Sequence, residues 1–182
     1  MRRTDARARY TTRVLKESLL KLLADKPVNK ITVVEVCQEA GINRTTFYSH
    51  FSDCFDLLSS IEGDLLREFE ASLTSADPLD VTALITSIYD MIDRNEMACR
   101  QLIFGKFNAA LISRMIELAR LRCIDSWQRR LTKASQSELD MLFTQLSFGL
   151  LHVVIDFYDK YDRETIIRFV DNSVMVNFAA YR

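Results

Sequence analysis

The stretch that decides the fold is residues 31–51, which read ITVVEVCQEAGINRTTFYSHF. Thr32 and Glu35 have the spacing of a capping box, in which each side chain bonds the other residue's backbone N–H at the start of a helix. Gly41 follows about two turns later, where a helix can end in a left-handed residue. The spacing therefore predicts a short helix between these two signals.

A second short helix should follow the glycine. Asn43 can cap it, and Phe47 and Phe51 have the spacing of one inward face. The polar side chains then fall on the outward side and its flanks: Arg44, Thr45, Thr46, Tyr48, Ser49 and His50. Two short helices joined by a glycine turn, with the second helix polar on its outer face, are typical of a helix-turn-helix. The second helix of such a motif can lie in the major groove of DNA.

Helical signals continue on both sides of this motif. An amphipathic pattern over residues 7–24 predicts a first helix that Pro27 ends, and Asp53 can cap a fourth helix. Five further helices are predicted downstream: from the cap at Asp77, with Pro78 in the first turn, to about 93, over 96–103, over 108–132, from a capping box at Ser135 to about 159, and over 163–180. We therefore expect an all-α protein of about nine helices, with a DNA-binding domain over 1–60 and a larger helical domain over 61–182.

The composition supports a helical chain. Only four glycines and two prolines occur in 182 residues, whereas a β-sandwich or barrel needs turn signals every 8–12 residues or so. The longest uncharged run, 141–155, is shorter than the roughly 20 residues of a membrane span, and no apolar segment of a secretion signal follows the basic N-terminus. We expect a cytoplasmic protein without a membrane span. Its cysteines should be reduced and mostly buried: Cys37, Cys54, Cys99 and Cys123.

The charge is distributed unevenly, although the net charge is only −1. Residues 1–30 carry nine basic and three acidic side chains, a net of +6, and residues 61–182 carry 14 basic and 18 acidic ones, a net of −4. A basic end on an otherwise acidic chain indicates a module that binds a polyanion. A basic helix that only faces solvent would give the same pattern, so charge alone leaves both interpretations open.

The last two predicted helices carry more apolar residues than one packing face can use. Apolar side chains fall on nearly every side of 139–158 and on most of 166–178. A helix that is apolar all round must be covered all round, so we expect both helices to pair with their copies in a second chain. The candidate interface residues are Leu150, Val154, Phe157, Phe169, Val170 and Val174. A fully internal core is the alternative.

Residues 31–51, followed by Asp56, Leu57 and Leu58, resemble the DNA-binding signature of the tetracycline-repressor-like (TetR-type) bacterial transcriptional regulators. The resemblance covers about residues 8–60. It implies a homodimer with two DNA-reading heads, a helical effector-binding body, and repression that a small molecule relieves.

The same resemblance assigns roles to single residues. It implies a phosphate contact for Thr32, base reading for Arg44, Thr45 and Thr46, and backbone or base-edge contacts for Tyr48 and His50, with Ser49 on the same face. Arginine can donate two bonds to guanine, and a threonine methyl suits the thymine methyl. Arg2 and Arg3 could reach along the backbone or into a minor groove, or belong to a solvated tail. The family commonly has a phosphate-clamping lysine where this chain has Cys54.

An effector pocket between body helices would be lined by aromatic and sulfur-containing side chains. The candidates are Tyr89, Met91, Cys99, Phe104, Phe107, Met115 and Trp127, with His152 as a hydrogen-bonding partner for the effector. Each of these can equally be a core residue. With two histidines, no glycine-rich phosphate loop and no cluster at metal-ligand spacing, we expect no enzyme activity, metal or cofactor. The alternatives to an operator-binding regulator are one that acts mainly through a protein partner, and a helical ligand-binding protein.

Overall fold

The computed structural model describes residues 3–105 and 108–181. Within these residues the chain is all-α, as the sequence predicts, with nine α-helices and no strand. The helices are α1 (Arg3–Asp25), α2 (Val33–Ala40), α3 (Arg44–Tyr48), α4 (Cys54–Thr74), α5 (Val81–Arg94), α6 (Glu96–Cys99), α7 (Ala109–Arg130), α8 (Gln136–Phe157) and α9 (Arg163–Ala179). The predictions for Arg2 and Phe107, and for the side chain of Arg3, lie outside the described part of the chain.

Side-chain caps fix where several helices begin. Thr32 and Ser135 form the two predicted capping boxes with Glu35 and Glu138, and Asn43 caps α3. Each cap pairs a backbone N–H that the start of a helix leaves without a partner. These three helix starts are therefore confirmed, and they come from local chemistry that a sequence shows directly.

The chain divides into two compact units, Met1–Leu65 and Leu66–Arg182. The sequence places this boundary between residues 60 and 61, slightly earlier in the chain. Helix α4 runs without a break through both positions, so no loop or change of composition marks the point where one core ends and the next begins.

The first unit is built around a small apolar core. Helix α1 packs against α2, and α2 packs against α3. Six side chains from α1 to α4 are fully buried: Leu15, Leu19, Val36, Phe47, Leu57 and Leu65. Because one apolar stripe on each helix supplies this core, the opposite faces of α2 and α3 stay polar and exposed.

The second unit is organised around Trp127 on α7. Here α5 packs on α9, and α8 packs on both α7 and α9. The indole ring of Trp127 lies with its centroid 5.9 Å from that of Phe143 and 5.0 Å from that of Phe178. Its N–H donates to the backbone carbonyl of Pro78 at 3.3 Å. The one polar atom of this ring is therefore paired, as a buried indole requires.

Helix α8 is less covered than its composition predicts. Its length and composition would let it cross a membrane. This is weak evidence for a membrane span, because the core helix of a soluble protein passes the same test. Within the described chain, 22% of its most apolar stretch is buried. Leu142 and Phe143 pack into the core, whereas Met141 and Phe148 are exposed. The described chain thus covers one side of this apolar helix and leaves another side in contact with solvent.

A π-helical turn over Arg100–Phe104 replaces the end of the regular helix predicted over 96–103. The N–H of Gly105 closes the turn by donating to the carbonyl of Arg100 at 2.8 Å. A Cβ atom on residue 105 would lie 2.8 Å from that same oxygen, closer than real side chains approach. The glycine is thus required here, and it is the sequence signal that marks the turn.

Candidate nucleic-acid interface and apolar cavity

The turn between α2 and α3 depends on one left-handed residue. Gly41 has φ 64° and ψ 30°, and its N–H bonds the carbonyls of Cys37 and Gln38 at the end of α2. No atom lies within 4 Å of where its Cβ would be. The glycine is therefore needed for its backbone conformation and not for space. This conformation ends α2 and starts the chain toward α3.

Helix α3 presents a polar face to solvent, as predicted. Arg44, Thr45, Tyr48 and Ser49 are exposed, and Thr46 and His50 are half-buried at its flanks. Phe47, at 0% exposure, anchors the helix from below. The outward residues are thus held on a rigid element, which is the arrangement that base reading in a groove requires.

Internal hydrogen bonds fix part of this face. The hydroxyl of Ser49 donates to the carbonyl of Thr46 at 2.7 Å, so its proton is already engaged. His50 Nδ1 lies 3.5 Å from the hydroxyl of Thr12 on α1. In contrast, no hydrogen bond or ion pair within the described residues holds Arg44 or Tyr48. These two long side chains are the ones best able to reach a ligand from α3.

Thr32 is engaged more fully than the resemblance implies. Its hydroxyl and its backbone N–H both donate to Glu35 Oε2 at 2.9 Å. Lys26 donates to the other carboxylate oxygen of Glu35. The hydrogen bond from Lys26, followed by those from Thr32, lowers the pKa of Glu35 to about 2. A phosphate contact from the Thr32 hydroxyl would have to replace its bond to Glu35.

The basic charge of the N-terminal segment is largely balanced within the first unit. Residues 31–65 carry one basic and six acidic side chains, which reduces the net charge of residues 1–65 to +1. Ion pairs join Arg13 to Glu17, Lys16 to Asp64, Lys21 to Glu39 and Lys26 to Glu35. The first helix is therefore a weaker source of phosphate contacts than its own composition suggests.

Cys54 does not take the place of the family's exposed lysine. Its side chain is 4% exposed, and burial, followed by the charge of Asp53, raises the pKa of its thiol. Asp53 caps α4 by accepting the N–H groups of Phe55 and Asp56, each at 2.8 Å. The burial of this thiol favours a space-filling role over a reactive one.

The second unit contains an apolar cavity of about 160 Å³. Its walls come from α4, α5, the π-helical turn, α7, α8 and α9, and none of the described residues that line it is charged. Phe104, Trp127, Met91 and Met115, which the sequence analysis assigned to an effector pocket, are among the residues that line it. The sequence analysis missed Ile112, Ile116, Ala119 and Cys123, which share one face of α7. Their helical spacing was the signal that could have identified them.

Four predicted pocket residues lie elsewhere or cannot be placed. One of them, Cys99, is buried but is not among the residues that line the cavity. Tyr89 is buried but is not among the residues that line the cavity, and its ring stacks on Tyr158 with centroids 5.5 Å apart. His152 is exposed on α8, so it is neither a pocket residue nor the core residue that was the alternative. Phe107 is outside the described residues. Burial raises the pKa of Tyr89 to about 12, so it is a neutral packing residue at ordinary pH.

The candidate dimer residues separate into three groups by burial. Val154, Val170 and Val174 are buried in the chain's own core and line the cavity, which corrects their assignment to an exposed interface. Leu150 and Phe157 are half-buried. Phe169 is 58% exposed, and Val176, which the sequence analysis did not select, is 75% exposed. The helical period identifies apolar faces, but it cannot tell which face meets the chain's own core.

Comparison with known proteins finds a likeness in fold to a solved structure. The fold is similar to that of the fatty acid degradation regulator FadR from Bacillus halodurans, with a TM-score of 0.65 and 15% sequence identity over 91% of this chain and 94% of that chain. No family model matches the chain, and no curated protein does. At this identity the likeness is one of architecture, so the chain has the all-α fold of that regulator.

Proposed function

We propose that this protein is a homodimeric transcriptional regulator that binds a palindromic operator through α2 and α3 and responds to a small molecule. One observation carries the proposal: a left-handed glycine joins two short helices, and the second exposes Arg44, Thr45 and Tyr48 while Phe47 anchors it. The likeness of the whole fold to a regulator supports it. We propose repression in the cytoplasm, with no catalytic role.

The exposed apolar surface of α8 and α9 supports the homodimer. Met141, Phe148, Phe169 and Val176 are large apolar side chains that the described chain leaves exposed. Gly149 lies in the middle of α8 with no atom within 4 Å of its Cβ position, so its own chain gives no reason for a residue that costs about 1 kcal/mol in a helix. Close approach of a second chain at this position would explain the glycine.

Selection of duplexes from a random pool tests the proposal. Two salt concentrations should be used, because phosphate contacts make binding salt-dependent whereas base contacts set the sequence. We expect a motif with dyad symmetry. For the variant Arg44→Ala on α3, the matched control is Arg114→Ala on α7. Arg114 is an exposed arginine of the second unit, so its loss should leave the motif unchanged. Absence of any selected motif would overturn the proposal.

A regulator that acts mainly through a protein partner is a second candidate. The observation in its favour is that four of the nine basic side chains of residues 1–30 pair with carboxylates, which weakens the charge that the first unit offers to phosphates. Co-purification of one stoichiometric protein with the native chain, together with weak and sequence-independent duplex binding, would support this second function over the first.

A further inference from the structure

We infer that the cavity of the second unit binds a small, uncharged, apolar molecule, and that such a molecule is the effector; the second half of this inference rests on the proposed function. The argument begins with the cavity walls. They are aliphatic and aromatic almost throughout, and the described lining includes no acidic, basic or amide side chain.

The few polar atoms at the cavity are already paired. The Trp127 N–H donates to Pro78 at 3.3 Å, and the Ser147 hydroxyl donates to the carbonyl of Thr144 at 3.3 Å. Burial raises the pKa of the Cys123 thiol to about 11, so this residue is a neutral sulfur at ordinary pH. A ligand inside would therefore find little to pair with a charge or a strong hydrogen-bonding group.

The size and apolar lining of the cavity define the ligand further. Its volume is about 160 Å³, and an apolar cavity of roughly 150 Å³ stays free of water and takes up benzene. An ionised carboxylate would lose its hydration here without gaining a partner. The chemistry thus favours a single ring or a short alkyl group without charge. It disfavours the ionised head of a fatty acid, even though the solved protein of similar fold is named for fatty acid degradation.

Trp127 provides a direct measurement. It is the chain's single tryptophan and it lines the cavity, so its fluorescence reports binding at this place. With the purified full chain and no DNA, toluene should give a saturable change below about 1 mM. Benzoate, in which a carboxylate replaces the methyl group, should give none at roughly a hundred times that concentration. Benzoate binding as well as toluene would overturn the inference.

Cavity-filling variants test the location. Ala119→Phe on α7 should abolish the toluene response, whereas Ala110→Phe, an exposed alanine of the same helix, should keep it. Ser147→Phe fills the cavity from α8 and serves if Ala119→Phe does not fold by circular dichroism. Ser147→Ala should bind toluene normally, because the inference gives this hydroxyl no role. An unchanged response in a folded filled variant would overturn the site.

The part of the inference that names the effector is tested with the selected duplex. Toluene at saturation should change the affinity for that duplex by about fivefold or more, and the duplex should change toluene affinity by the same factor. Toluene binding without any duplex binding would leave the ligand site standing and defeat the proposed function. Duplex binding that toluene does not alter would retain the proposed function and overturn this molecule class as the effector.

Discussion

Glu35 Oε2 accepts both hydrogen bonds that Thr32 can donate, from its backbone N–H and from its hydroxyl, each at 2.9 Å. The same hydroxyl accepts the N–H of Glu35 at 3.3 Å. This reciprocal pair begins α2, the first helix of the helix-turn-helix. A residue that the family resemblance assigns to DNA contact is thus first of all a helix cap.

Replacing Thr32 with alanine should therefore act on stability. Loss of an N-cap side chain costs about 1 kcal/mol of folding stability. Thr32→Ser should retain most of that stability because serine keeps the hydroxyl. Urea unfolding of the three proteins measures the difference. A Thr32→Ala variant with unchanged stability and reduced DNA affinity would instead show that the hydroxyl acts mainly on phosphate.

The Glu35 carboxylate should make the first unit sensitive to acid. The pKa of Glu35 falls from the ordinary value of 4.5 to about 2 in the folded chain, so the folded state favours the ionised form. This contribution is complete above pH 4.5 and is lost as pH falls from 4.5 toward 2. The stability difference between the native protein and Glu35→Gln should shrink over that interval. A difference that grows with acidity would contradict the assigned direction.

Arg44 should contribute sequence preference. If its guanidinium donates two bonds to a guanine, Arg44→Ala should cost about 1–3 kcal/mol on the selected duplex and relax one base pair in each half-site. Tyr48→Phe should weaken all duplexes alike, because a phosphate contact carries no sequence information. Repeating the duplex selection with each variant, after circular dichroism confirms folding, checks both. An unchanged motif with Arg44→Ala would rule out base reading by this residue.

Phe169 provides a test of the dimer because it is 58% exposed on α9. Phe169→Arg would bury an unpaired charge in the proposed interface, and such a charge is costly enough to dissociate the pair. Val170 and Val174 are unsuitable for this test because they are buried in the core. Leu121→Arg on α7, at an exposed position outside both helices, is the control. Sedimentation should give a monomer for the first variant and a dimer for the second.

Local signals in the sequence were sufficient for the starts of α2, α3 and α8 and for the glycine turn between α2 and α3. The caps at Thr32, Asn43 and Ser135 act within a few residues, so their chemistry can be read without the fold. Which apolar side faces the core depends on distant packing. That is why His152, expected at the pocket or in the core, is exposed on α8, and why Val170 lies inside. How many of the basic side chains of α1 are paired likewise depends on carboxylates that folding brings to them.

The four cysteines should be slow to react in the native protein. All four are buried, and burial is the main cause that raises each thiol pKa, to about 12 at Cys99 and about 11 at Cys123. Reaction requires the exposed thiolate, so labelling by a thiol reagent should occur at the rate of local or global opening. Cys54 is the sharpest case, since it lies at the N-terminus of α4, where the helix dipole alone would lower its pKa. Comparison of the native chain with Cys54→Ala, with and without urea, isolates the rate at which Cys54 is labelled. Fast labelling of Cys54 without urea would show that its thiol is accessible and would contradict the space-filling role.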